Sequence, residues 1–522
     1  MVASIEALPP ELYTAIIDYI PAQDVQQTVL SLTRAIPLSP IPLYHLFERV
    51  RLKYSDQVVH LYRRLRKSAE DAACVHHFSL ETWKVDADVV VNLVAILPQL
   101  SHLSLFIGPN FAPEHLEEMF EDPMQGLKFI SLRFRPYVQT ATYYQFLKGA
   151  YFDSTLTAFS RWPADNLPTL SIVQDPLDPS IAPNKFAQPL VFFRLDPLSQ
   201  LARSPFVENL VNFRLRIPAR QGARFLYAFP RSLPKLQSLD MSTSKVAEND
   251  VESMLARFGN LKTLVLDGCF LVSQRADGQD AQDAFSHWVT LGKIMSLAGV
   301  KYAREREKKL KEWLEVNHAQ ATLAALRLAD GTDSLPEPEP EPARRRARRG
   351  RRGVSTATIS LRNSPPRPSA ALPAISSSSA LSSKTPAVPR VRIFPAIATI
   401  RSIATTAPAF VGVEKHAEIR AEFERGWEAG IAQISTIYGR LRQSWRNGIR
   451  VVKTDDDFNA DGEGSEVGFN GLKDVVEEDF DVDVDGEVGK CPSLCLAGPG
   501  RSENHVDGCG HQVGWEVFQD EL

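Results

Sequence analysis

Three cysteines and two histidines crowd the last 32 residues of this 522-residue chain, in the order Cys491, Cys495, His505, Cys509 and His511. Thiolate sulfur and imidazole nitrogen are the donors that zinc takes in closed tetrahedral sites, where ligands are commonly only a few residues apart. Cys491, Cys495, His505 and Cys509 supply four such donors within 19 residues, with His511 nearby, so a structural zinc ion in the C-terminal tail is the one cofactor the sequence offers. The competing reading is a tail of reduced thiols. The first pair is spaced Cys-x3-Cys rather than in the tighter Cys-x2-Cys turn, and the stretch brings little core of its own. An odd total of five cysteines forms no disulfide framework and fits a reducing compartment.

Catalytic patterns are missing from the rest of the chain. It has no G-x-S-x-G elbow, no H-E-x-x-H pair and no G-x-x-x-x-G-K-[ST] phosphate loop, so the design reads as recognition and not as an enzyme. Two acidic pieces, Asp457-x-Asn459-x-Asp461-Gly462 and Asp481-x-Asp483-x-Asp485-Gly486, imitate calcium loops. Their twelfth positions are Gly468 and Pro492, and without the bidentate glutamate that chemistry fails. Arginines offer a second kind of chemistry. Arg344, Arg345, Arg346, Arg348, Arg349, Arg351 and Arg352 form a basic run that suits nuclear import or a nonspecific RNA contact. The net charge of −4 gives no global signature for nucleic acid or membrane. There is no signal core at the N-terminus and no apolar run long enough to span a bilayer, which predicts a protein of the nucleus, the cytoplasm or both.

The elements that carry these groups are organised by leucine. Leu261, Leu264, Leu266, Cys269 and Leu271 fill the consensus L-x-x-L-x-L-x-x-N/C-x-L, and weaker copies begin at Val75, Leu100, Leu127, Leu210 and Leu236. Two degenerate copies near Leu156 and Leu190 would fill the long gap after Leu127. In such a unit the Leu-x-Leu segment is a short strand with alternate side chains inward, and stacking joins the faces into one core. The spacing therefore predicts an α/β leucine-rich-repeat solenoid over 70–300. Cys269 is then a buried repeat cysteine. On the strands, Ser104, Ser131, Arg133, Arg214, Arg216, Asp240 and Val265 point outward, with Asp267 beside them. Arg133, Arg135, Arg214 and Arg216 would form a basic target-binding stripe for an acidic or phosphorylated ligand if the strands stack in register, against the plainer reading of a solvated face.

Beyond the repeats the pattern changes four times. Residues 301–330 read as a charged capping helix. Residues 331–413 hold 12 prolines and 12 serines with no tyrosine or tryptophan, which predicts a disordered linker. Ile419, Phe423, Trp427, Ile431, Ile434, Ile437, Leu441, Trp445, Ile449 and Val452 recur at helical spacing, which predicts one amphipathic helix over 414–453 whose stripe docks on the solenoid. Residues 454–522 read as an acidic disordered tail around the Cys/His cluster.

At the other end, Leu8-Pro9-Pro10-Glu11-Leu12 opens a compact three-helix block over 1–52. Leu12, Ile16 and Ile20 share one helical face, Pro21 ends that helix, Asp24 caps a second carrying Val25, Val29 and Leu32, and a third runs from Tyr44 to Leu52. Through Leu8, Pro9, Glu11, Leu12, Ile16, Ile20, Pro21, Asp24, Leu30, Leu32 and Arg34 the block resembles an F-box, the motif by which substrate receptors dock on the adaptor of Skp-cullin-F-box ubiquitin ligases. Where that family carries a Cys-Arg-x-Trp-like segment, this chain has Thr33-Arg34-Ala35-Ile36. The resemblance implies that Leu8, Pro9, Leu12, Ile16, Ile20, Val29 and Leu32 bind a Skp-type adaptor, that a cullin scaffold follows, and that the solenoid holds an unidentified target protein. It implies no membrane partner. The alternative is a leucine-rich scaffold without a ligase link, touching RNA through the arginine run.

Overall fold

The computed structural model describes residues 8–135, 151–176, 190–229, 231–269, 281–329, 390–408, 411–454, 472–480 and 489–518. They divide into two units, one built from residues 1–307 and 391–522 and the other from 308–390. The first carries an α/β architecture around a ten-stranded, all-parallel sheet. Its first eight strands follow one another in chain order: β1 (Arg49–Leu52), β2 (His77–Leu80), β3 (His102–Ile107), β4 (Phe129–Phe134), β5 (Thr169–Gln174), β6 (Asn212–Arg216), β7 (Ser238–Asp240) and β8 (Thr263–Val265). Helices such as Ala87–Ala95, Pro113–Met119 and Glu248–Arg257 return the chain between strands, as parallel pairing requires.

Register explains the leucines. Val50, Phe78, Leu103, Ile130, Leu170, Phe213, Leu239 and Leu264 stand opposite one another across the sheet, and each is 3 % exposed or less. The next inward row is Leu52, Leu80, Leu105, Leu132, Ile172 and Leu215. Because side chains alternate along a strand, these two rows point to the helices and form the main core. The intervening row, Arg51, Ser79, Ser104, Ser131, Ser171, Arg214, Asp240 and Val265, belongs to the opposite face.

Every one of the six clear leucine units contains a strand, but two details differ from the spacing. Between β4 and β6 the described residues hold a single strand, β5, and Leu156 lies in the helix Asp153–Ser160. Near the N-terminus the third helix is only His45–Glu48, and Arg49–Leu52, expected to continue it, forms β1. An edge for β2 is worth more to Val50 and Leu52 than one further helical turn, since both become buried against the main core.

The larger departure is at the C-terminus. Residues expected in the linker and the disordered tail return to the sheet. Strand β10 (Ser402–Ala404) pairs with β8, placing Ile403 beside Leu264, and β13 (Ser493–Cys495) pairs with β10, placing Leu494 beside Ile403. A separate three-stranded sheet joins β9 (Val391–Ile393), β11 (Arg450–Thr454) and β12 (Leu472–Asp474), packed around Val451, Val475 and Phe480. Composition averaged over 331–413 and 454–522 hides such three-residue strands, whose pairing edge lies far away in sequence.

The amphipathic helix runs His416–Arg446 and stops where Gly448 takes φ +83°, so Ile449 lies beyond the helix and Val452 belongs to β11. Its stripe does dock on the body. Phe423 and Trp427 are 1 % exposed, and the Trp427 indole N–H donates to the Gly489 carbonyl at 2.8 Å. The glycines that weaken this helix in isolation serve the contact. A side chain at Gly426 would strike the Val289 carbonyl, and one at Gly430 would strike Ser296, both on the neighbouring helix Ala281–Ser296. Among the described residues, no helix is long and apolar enough to cross a membrane.

Candidate functional site

Three places in the structure carry groups that the sequence singled out. The first is the N-terminal module. Tyr13, Ile17, Val29 and Ile41 form a small core of their own, flanked by Leu8, Ile20, Val25, Leu32, Ile36 and Leu46, and Leu46 also packs against the main core. Of the seven residues expected at a partner surface, Leu12 and Ile16 are 48 % and 50 % exposed, one turn apart on the helix Pro10–Ile17, and Pro9 is exposed as well. Leu8, Ile20 and Leu32 are half-buried against the small core. Val29 is a correction: it is completely buried, because a block this small needs every inward side chain to close its own core. Sequence reasoning missed Tyr19, Leu38, Leu43 and Tyr44, which extend the exposed apolar surface of the module.

The second place is the sheet face away from the main core. The four arginines expected to form one stripe do not lie side by side. Strand β5 separates β4 from β6 and sets Ser171 and Val173 between them. Each arginine is also engaged. Arg133 pairs with Asp175 at 2.7 Å, and Arg135 lies over the Trp83 ring at 5.6 Å. Arg214 and Arg216 converge on the buried carboxylate of Asp240, with Nε of Arg214 at 3.0 Å and Nη2 of Arg216 at 2.6 Å from Oδ2. Burial alone would raise the Asp240 carboxyl, but the two guanidinium charges and their hydrogen bonds hold it far below the ordinary carboxylate range. Over Arg214 sits Phe518, 3.9 Å from guanidinium carbon to ring centre, at the end of the helix Gly510–Phe518. That helix crosses the open face, starting at Gly510, where any side chain would meet Thr263, Val265 and Ala404.

The third place is a side-chain cluster where this helix begins. Cys495 ends β13 in the row that continues Asp240, Val265 and Ala404, and so faces the helix instead of the main core. Cys495, His505, Cys509 and His511 bring one sulfur or ring nitrogen each to within 4.8 Å of one another, so this cluster can bind a metal ion. Cys491 is not among them. It is half-buried against the main core, and its thiol contacts the Pro492 carbonyl, because the residue lies before β13 instead of within it. His511 takes its place. The signal for His511 was its spacing from Cys509, but its partner Asp267 is 244 residues away and was not legible as one.

Hydrogen bonding from Cys509 and His511 pulls the Cys495 thiol down against the opposing effect of burial, while the Cys495 sulfur and burial push Cys509 up. Burial disfavours the His511 imidazolium, yet hydrogen bonds to Asp267 and Cys495 outweigh it and raise the ring to about 9. Just past the turn after β8, Cys269 is 4 % exposed and its thiol is pushed well up by burial, as suits a buried packing cysteine. The arginine run 344–352 and both calcium-loop imitations lie outside the described residues, except for Pro492. Compared with known proteins, the chain matches no family model and no curated protein.

Proposed function

We propose that the chain is the substrate receptor of a Skp-cullin-F-box-type ubiquitin ligase, with an F-box-like module at its N-terminus and a leucine-rich-repeat solenoid as its recognition scaffold. The observation that carries this reading is the N-terminal module, which buries Tyr13, Ile17, Val29 and Ile41 in a private core and leaves Leu12, Ile16, Tyr19, Leu30 and Leu38 on the outside. A cap that only sealed the end of a repeat array would turn such residues inward. A docking module keeps them available, and two of them, Leu12 and Ile16, are residues that the F-box resemblance assigns to adaptor contact.

The scaffold reading rests on the eight leading strands, which follow in chain order with one row of large apolar residues repeated on each. Catalysis in such a receptor is by proximity: the chain raises the local concentration of target lysines near an enzyme supplied by other subunits. Target contact falls to the open face beside Ser79, Ser104 and Ser131, upstream of the part that the C-terminal helix covers. The test is capture of a purified Skp-type adaptor by the full chain. Leu12→Ala with Ile16→Ala should reduce capture at least tenfold at an unchanged melting midpoint, since both side chains are half exposed and contribute little to the fold. Equal capture by the double variant, or none by the unaltered chain, refutes the ligase assignment and favours a scaffold without that link.

A further inference from the structure

We propose that Cys495, His505, Cys509 and His511 bind one zinc ion, and that this ion fastens the helix Gly510–Phe518 to the open face of the sheet. A tetrahedral site with zinc–sulfur bonds of about 2.3 Å and zinc–nitrogen bonds of about 2.0–2.1 Å sets neighbouring donors roughly 3.3–3.8 Å apart. Three edges of the cluster come close to these values, and all its donors lie within 4.8 Å of one another. His505 Nδ1 lies 3.5 Å from Cys495 Sγ and 3.6 Å from Cys509 Sγ, and His511 Nδ1 lies 4.0 Å from Cys509 Sγ.

The second ring nitrogens supply an independent observation. His511 Nε2 is 2.9 and 3.1 Å from the two carboxylate oxygens of Asp267, and His505 Nε2 is 2.5 Å from the Gly500 carbonyl oxygen. Each Nε2 therefore donates outward, and once Nδ1 gives up any proton to a bound ion its lone pair would face that ion beside the two sulfurs. Histidines that hold a metal are oriented in this way, one ring nitrogen on the ion and the other donating to a carboxylate or a backbone carbonyl. Asp267 is itself fixed by the Thr406 hydroxyl, which donates to Oδ1 at 2.8 Å. Gly508, at φ +67°, turns the chain back between His505 and Cys509.

Donor chemistry selects the ion and its role. Two thiolates and two imidazoles suit zinc and not magnesium or calcium, and four protein donors leave no open position for substrate. The site is structural. Its ligands join β13 to the first turn of the helix, while Asp267 joins them to the turn after β8. The Gly510 amide, between two of the ligands, donates to the Ser402 hydroxyl on β10 at 2.9 Å. The ion and the Asp267 that orients one of its ligands thus tie β13 and the helix start to the turn after β8, more than 200 residues away in sequence, and hold Phe518 in place over Arg214.

The full chain, purified reduced with zinc in the buffers, should contain about one zinc per molecule by elemental analysis. Cobalt added to the metal-free chain should give the visible spectrum of a tetrahedral cysteine-ligated ion. Cys509→Ser should abolish that spectrum and the bound zinc, Cys491→Ser should leave both intact, and Asp267→Asn should weaken zinc binding about 10–100-fold. Chelation should speed proteolytic cutting after Arg501 severalfold, and zinc should restore protection. A wild-type chain that takes up neither zinc nor cobalt, a Cys495–Cys509 disulfide in their place, or zinc lost with Cys491→Ser would overturn the proposal. So would zinc retained in Cys509→Ser. Because the titration of the wild-type chain needs no variant, a misfolded variant leaves the test intact, and adaptor capture is read separately.

Discussion

Asp240→Asn is the perturbation that most directly tests how the sheet face is held together. The Asp240 side chain is 2 % exposed and that of Arg214 4 %, whereas Arg216 is 24 % exposed and still meets water. Asparagine keeps the shape of the side chain and can still accept from the Ser242 amide, now 3.0 Å from Oδ1, but it removes the charge that two guanidiniums share. Taking one member from a buried ion pair costs about 3–5 kcal/mol, because the remaining charge stays desolvated. Most of that cost arises at Arg214, since Arg216 can turn toward solvent.

The pH dependence follows from the same geometry. In the folded chain the Asp240 carboxyl lies far below the ordinary range, and in the unfolded chain it titrates near about 3.9. A carboxyl depressed by folding contributes stability that is complete above its unfolded value and is lost as pH falls toward its folded one. The gap between wild type and Asp240→Asn should therefore be constant from about pH 5 to 8 and shrink below about pH 4. Urea unfolding followed through the emission of buried Trp288 and Trp427 measures it. A loss under about 1 kcal/mol at pH 7, or a gap undiminished at pH 3, would show that the Asp240 charge is not what holds this face.

Two further pairs of changes probe the helix pair and the returning strands. Gly426→Val should separate the helices Ala281–Ser296 and His416–Arg446 at the Val289 carbonyl and destabilise the chain by about 1–3 kcal/mol, while Gly439→Ala, exposed with open space around it, should stabilise by up to about 1 kcal/mol; opposite shifts in the urea midpoint are the check. Deleting 331–413 takes out β9 and β10 and should lower the melting midpoint sharply, because β10 lies between β8 and β13, whereas deleting only 340–380 should leave it unchanged; equal effects of the two deletions would mean that the returning strands add nothing to stability.

Strands whose signal is local are legible in the residues alone. Leu103 and Leu105, or Leu264 and Leu266, announce an inward face at the alternation of a strand, and the same signal recurs at steps of 25–27 residues among the clear copies on either side of the 83-residue gap after Leu127. The stripe from Ile419 to Trp445 announced a helix with one buried side in the same way. Cysteine and histidine in the last residues named donors by chemistry alone.

Tertiary structure decided what those local signals could not carry. Ile403 and Leu494 become core only because β8 offers an open edge, and no spacing within 391–413 or 490–496 encodes that edge. The same return chose the four cluster members. Cys491 and Cys495 are equally good donors in sequence, but the pleat of β13 turns Cys495 onto the open face while Cys491, ahead of the strand, packs on the main core. His511 qualifies because Asp267, brought from the turn after β8, orients its ring. Arg214 and Arg216 likewise looked like free cations until β7 laid Asp240 beside them. A charge or a donor is named by its residue type, but its partner is set by chain segments from about 25 to more than 240 positions away, and only the folded chain brings these together.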